Sequence, residues 1–398
     1  MKCIFCENEL SPQTKPEHIL LSSLGGRKTT RQVDCTTCNE TFGNLIDNAM
    51  GEQIKVLRNM LQLESGTGAL SPALKKIKAG KDTINFRNDG KPELVAKPFT
   101  VTKNADGTEN IEIIARTPEE LKKTVAHLAA YLHRPVDEVE KMLTMAKAKR
   151  VVMRPGEVHH QLAFGGPEVL RSNVKSCLAL WTLAVGNEEV KSVRYEAPRR
   201  FVLEGDEAFS KIWAHLDSRD LPRVEEYVAR FGKFFNLIYV ASDAAGRVIA
   251  HFTLYNVIGW HIVLAEAGGA PNAKIALASN PLDPSVWSDK VADELPLDFG
   301  WLDSPDYTDG LVRGKERINR AVRHHLETSG ADEQLGIFES VFKKHGLRYG
   351  DPISDPLVIK KISRELGERL ASHYLGLPYE EKLGPEQIAA MLAGEGGA

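Results

Sequence analysis

The sequence predicts an α+β chain in two parts: a small N-terminal module at residues 1–62 and a larger mixed α+β domain at residues 76–398, joined by a linker at 63–75. Three observations predict it. Four of the five cysteines fall in two CxxC pairs, Cys3/Cys6 and Cys35/Cys38, within a segment that has few large apolar side chains. SGTGALSP, residues 65–72, gathers small residues and turn formers. Beyond it, strand and helix patterns are mixed, with no repeat and no low-complexity tract.

A chain of 398 residues that is 42% hydrophobic can bury a full core. Its net charge of -3 argues against a protein that coats DNA passively, so any nucleic-acid footprint must be local. MKCIFCENEL lacks a basic start followed by an apolar run, and no segment offers about 18 uninterrupted apolar residues. The expectation is a cytoplasmic protein with no membrane association.

The cysteines carry the first chemistry. A thioredoxin-like dithiol is a single CxxC near a βαβ pattern, which this chain lacks. Two pairs about 30 residues apart instead supply four thiolates, Cys3, Cys6, Cys35 and Cys38, for a tetrahedral structural zinc. Such a site contributes on the order of 10 kcal/mol and stands in for a missing core. Cys177, inside the apolar run CLALWTLAV, reads as a buried core residue.

The second pair runs into a helical pattern with Phe42, Ile46, Met50, Ile54, Leu57 and Leu61 on one face, so Asn39 is expected to open a helix. Short strands are expected around a turn at 101–115, followed by a helix opened by the capping box Thr117-Pro118-Glu119-Glu120. Pro167 to Val185 predicts a buried helix ended by Gly186. Phe235 to Glu266 predicts an antiparallel meander with one turn at 243–246, and the tail from about 311 is mostly helical.

CIFC, EHI, LGG and CTTCNETFG, in that order over residues 3–50, resemble the zinc-stabilised branch of the HNH nucleases. The resemblance implies a ββα-metal fold on a treble-clef-like scaffold for the N-terminal module. It also implies that His18 is the general base and Glu17 the acidic ligand of a catalytic metal. Asn39, just after the last zinc cysteine, falls where the second metal ligand stands. Gly43 occupies the place of a third ligand found in some branches. Asp47, two turns after Asn39, could take that role only if the helix tilts toward the metal. Thr30 stands where the family usually has a loop-bracing asparagine.

These residue types suit phosphodiester hydrolysis. A neutral imidazole takes a proton from water near neutral pH. Two oxygen donors, Glu17 and Asn39, favour Mg2+ or Mn2+, which stabilises charge on the phosphoryl and leaving oxygens. Gly25-Gly26 permits a sharp return of the chain. The function implied is a metal-dependent endonuclease acting on DNA, with RNA left open. The larger domain would select substrate, sense an activating ligand or bind a protein partner, as in restriction or anti-phage effectors. The alternative is a zinc module that binds nucleic acid or protein without catalysis.

Residues 140–202 hold eleven Lys or Arg against six Glu, and Lys147, Lys149, Arg150 and Arg154 are the expected nucleic-acid contacts. Arg313, Arg317, Arg320 and His324 form a second stripe at helical spacing. His159-His160 and His324-His325 lack the i, i+4 partner that a shared metal needs.

Overall fold

The computed structural model describes residues 1–159, 164–348 and 350–394, so His160 lies outside them. The chain divides into two compact units. One comprises Met1–Leu74, Phe86–Lys91 and His160–His325, and the other Lys75–Asn85, Pro92–His159 and Leu326–Ala398.

The first unit is built on a six-stranded antiparallel sheet. Its strands lie in the order Asp283–Ser288, Lys274–Asn280, Asn236–Ser242, Val248–Leu254, Ile258–Ala265 and Ala214–Leu216. The middle three are the expected meander, and the turn at 243–246 closes on Asp243, whose carboxylate accepts from the Arg247 amide at 2.8 Å. Both faces of the sheet are covered, which is why these strands read as nearly continuous apolar runs. Alternation still sorts the side chains: Ile238 and Val240 enter one core, Leu237, Tyr239 and Ala241 the other.

The helix Pro167–Val185 supplies the first of those cores, with Leu178 and Trp181 packed alongside Phe252 and Trp260. Gly186 ends it as expected, and Cys177 is buried within it. The second core is closed by Tyr227 and Phe231 of the helix Val224–Phe231 and by Leu302 of Phe299–Asp303.

The grouping of the N-terminal segment differs from the expectation of a free-standing module at 1–62. Ile4, Phe5, Ile19, Leu20, Leu24 and Phe42 belong to the same core as Trp181 and Phe252. The apolar side chains that looked too few to fold alone therefore complete a core supplied from later in the chain. Nor is 63–75 a linker. Leu63, Ser65 and Ser71 are buried, and the Gly66 amide donates to the Ser22 carbonyl at 2.7 Å. A Cβ on Gly66 would lie 1.8 Å from the Gly26 carbonyl oxygen, so the small residues of SGTG serve close backbone approach rather than flexibility.

The second unit carries the hairpin Phe99–Lys103/Glu109–Ile113 and the helix Pro118–Leu132, whose Thr117 cap accepts from the Glu120 amide. The strand Ala148–Val152 pairs antiparallel with Tyr379–Leu383, and a small core joins Val125, Leu128, Val139 and Ile388. Its C-terminal helices include Pro356–Leu375 and Pro385–Ala393, and it holds the part of the helix Gly310–Lys344 from Leu326 onward. Among the described residues no helix is long and apolar enough to cross a membrane.

Candidate active site

The four cysteines expected to bind zinc converge. Their sulfurs lie within 4.8 Å of one another, and among the described residues they form the only such group of three or more potential metal-ligating side chains. Thiols this close cannot all ionise without a cation. The hydrogen bond between Cys3 and Cys38 pulls Cys3 down to about 5, and pushes Cys38 up together with burial. Closed four-sulfur geometry is what structural zinc takes. The knuckle is held from outside as well: Asn187 donates to the Lys2 and Gln32 carbonyls, and Arg199 to that of Ile4 at 3.1 Å.

Between the two knuckles the chain forms a minimal ladder, Glu17–His18 against Thr29–Thr30, with Glu17 opposite Thr30 and His18 opposite Thr29. Adjacent residues on a strand point to opposite faces. Glu17 is accordingly buried, while His18 is half-buried. The return between the strands uses Gly25 in the left-handed region at φ 90. Thr30, in place of a bracing asparagine, accepts from the Gln32 amide at 3.1 Å and so stabilises only its own turn.

Asn39 is not at the helix start. The helix runs Thr36–Phe42 with Cys35 as its N-cap, which places Asn39 one turn inside, buried, with no hydrogen-bond partner for its side-chain nitrogen. Capping therefore makes no claim on this amide. The next turn, Gly43–Asp47, is π-helical. In an unbroken α-helix, eight residues from Asn39 to Asp47 make two turns plus roughly a fifth of a turn. The wider π turn removes most of that excess, and Asp47 comes round toward the same side.

What meets Asp47 there is a lysine from the buried helix Pro167–Val185. The Lys175 ammonium lies 2.5 Å from Glu17 Oε1 and 2.5 Å from Asp47 Oδ2, and Ser172 donates to Asp47 Oδ1 at 2.8 Å. Lys175 is 1% exposed. Burial alone would lower its pKa, and the two carboxylates more than reverse that, so it stays an ammonium. Asp34 is close enough for the Glu17 charge to act on it; burial first, then Glu17, push its carboxyl up to about 8, and neither of its oxygens has a hydrogen-bond partner. Burial, then the charges of Lys175 and Arg27, hold the His18 imidazole below its usual value.

An imidazole kept neutral, a buried carboxylate beside it on a two-stranded ladder, and a helix led by zinc-type cysteines occur here in the order ββα. Residues 3–55 match the HNH endonuclease family model. No curated protein and no solved structure matches the chain. The HNH segment stops well short of Lys175, so the cation seated on Glu17 comes from sequence beyond it.

The sequence reading missed Lys175. Its signal was a charge inside a helix apolar on every face, since a buried charge needs a partner. Removing Lys175 alone would leave Glu17 buried without a cation and Asp47 with only the Ser172 hydroxyl, and breaking a buried ion pair typically costs about 3–5 kcal/mol.

The expected basic contacts fare unevenly. Lys149 pairs with Glu380 and Arg154 with Glu333, while Lys147 and Arg150 are exposed and make no ion pair among the described residues. Elsewhere in the 140–202 run, Arg171 is spent on the Val202 and Leu203 carbonyls. On the helix Gly310–Lys344, Arg313, Arg317, Arg320 and Arg323 line a groove with Asp220 and Glu316. Arg313 is tied to Asp306 and Arg317 to Asp220, whereas Arg320 and Arg323 are exposed and have no ion pair among the described residues.

Proposed function

We propose that the HNH segment is the catalytic centre of a metal-dependent endonuclease that hydrolyses phosphodiester bonds, with DNA as the first substrate to test. The observation that carries this reading is the ladder that sets half-buried His18 beside buried Glu17 while its surroundings favour the neutral imidazole. In this role His18 Nδ1 or Nε2 accepts the proton of the attacking water. Glu17 Oε2 and the Asn39 amide would hold a divalent cation. Asp47 would not, because both its oxygens are engaged by Ser172 and Lys175.

The donors fit Mg2+ or Mn2+ by type, being hard oxygens. They also fit by charge: the Glu17 and Asp47 carboxylates share one ammonium, and the Asp34 carboxyl, with both oxygens unpartnered, lies near enough for the Glu17 charge to act on it. When bound, such a cation supplies charge stabilisation to the phosphoryl and leaving oxygens. The cysteine cluster would hold zinc and keep the helix bearing Asn39 in place. Substrate selection, and response to an activating ligand or partner as in a restriction or anti-phage effector, would fall to the rest of the chain.

One observation favours the second reading, a zinc module that binds nucleic acid or protein without cutting: the Glu17 carboxylate already has a cation on Oε1. Incubating the zinc-loaded chain with supercoiled plasmid and with RNA, in Mg2+ or Mn2+, separates the two. Nicked or linear product that disappears with EDTA supports the nuclease. No cleavage of either substrate hands the site to the binding module.

A further inference from the structure

We infer that Lys175 is a positioning residue of the proposed metal centre: by holding Oε1 of Glu17 it presents Oε2 to the divalent cation, so that a helix outside the HNH segment completes the site. This rests on the metal-dependent reading above.

Four observations lead there. Lys175 is the one ion-pair partner that Glu17 has among the described residues, at 2.5 Å. It is fixed rather than mobile, since its helix packs in the main core and its ammonium is also tied to Asp47 at 2.5 Å. Asp47 in turn is anchored by Ser172, from the same helix as Lys175. Asp47 thus serves the lysine and not the cation, which accounts for a π turn that brings it round without making it a ligand. A glutamate has three side-chain torsions, and a carboxylate that must meet a metal is oriented by partners on its other oxygen. Lys175 has that geometry, and being 1% exposed it has no route to substrate.

The rival role for the same ammonium is a permanent occupant that keeps a divalent cation out. The test is Mn2+ affinity of the zinc-loaded full chain, read from the EPR signal of free Mn2+, for wild type and for Lys175→Met combined with Asp47→Asn. The pair of changes removes one positive and one negative charge, so the field at the site is balanced while Glu17 loses its partner. Zinc content and far-UV circular dichroism verify the fold. Affinity about tenfold or more weaker in the double variant is expected. Affinity within twofold of wild type overturns the proposal. Absence of any Mn2+ binding by the wild type removes the metal-centre reading itself, a separate result. Should the double variant fail to retain zinc, a crystal structure of the wild type with Mn2+ decides. Lys175 Nζ still on Glu17 Oε1 with Mn2+ on Oε2 is expected, and an ammonium displaced from Glu17 overturns the inference.

Discussion

The Lys191 ammonium donates to the backbone carbonyl of Cys6 at 3.2 Å, and it reaches the Cys3 carbonyl at 3.3 Å as well. A residue far along the chain thus grips the first zinc knuckle by its backbone. The knuckle and the sheet share one core, so perturbing either should reach the other.

Zinc is accordingly expected at one ion per chain, bound by Cys3, Cys6, Cys35 and Cys38, and measurable by elemental analysis of anaerobically purified protein. Cys38→Ser should lose the metal and also weaken amide-exchange protection in the strands Asn236–Ser242 and Val248–Leu254, because Phe42 and Ile4 share their core. Full protection there after zinc loss would mean the N-terminal segment is independent after all.

His18→Ala should leave Mn2+ affinity intact while cleavage falls by about a hundredfold to ten-thousandfold, the usual cost of losing a general base. Glu17→Ala should behave differently, with weakened metal affinity and activity partly recovered by raising the metal concentration. Equal rates for His18→Ala and wild type would end the assignment of the base.

The acid limb of the cleavage profile should follow His18. Its pKa is lowered, so the neutral, base-competent form prevails at pH 6.5 and above, and activity is lost only as pH falls through a value below 6.5. Arg27→Met removes one of the cations responsible and should move both the imidazole NMR titration and the acid limb upward in pH. A limb that stays put while the imidazole moves would show that another group governs the rate.

Nucleic-acid affinity should reside more in Arg320 and Arg323 than in Lys149 and Arg154, which already have carboxylate partners. Replacing Arg320 and Arg323 together with Ala should lower the slope of log affinity against log salt by about two, one per phosphate contact. Replacing Lys149 and Arg154 should change it by less. The reverse ranking would return the interface to the segment 147–154.

Stability should carry a signature of His261. Its Nε2 donates to the Leu302 carbonyl at 2.9 Å, and in the neutral ring its Nδ1 accepts from the Tyr307 hydroxyl at 3.1 Å. Burial pushes its pKa down to about 4. With an unfolded value near 6.5, the folded state is favoured fully above pH 6.5, and the advantage is lost as pH falls toward 4. It amounts to about 3 kcal/mol at most. Urea unfolding at pH 7.5 and pH 5 should show this loss in wild type and a smaller one in His261→Gln.

Much of the fold was legible because it rests on local signals. The Thr117 capping box, Gly186 after an apolar helix and the turn at Asp243 each name a backbone geometry. The cysteine cluster was legible from spacing, and the match to the HNH family from motif order. What was not legible depends on distant partners. The linker reading of 65–72 failed because Gly66 packs on Gly26, a contact that composition does not encode. Asp47 and Lys175 stayed unconnected because a π turn alters helical phase without a sequence marker, and 128 residues separate the two.

That separation has a consequence for synthesis. Glu17, His18 and all four zinc cysteines leave the ribosome long before Lys175, and at ordinary elongation rates the gap from Asp47 is on the order of ten seconds. Throughout it the ammonium that pairs with Glu17 in the folded chain is not yet made. A centre that depends on Lys175 would thus stay incomplete while the ribosome moves along the messenger RNA, until translation has passed the helix that carries the lysine.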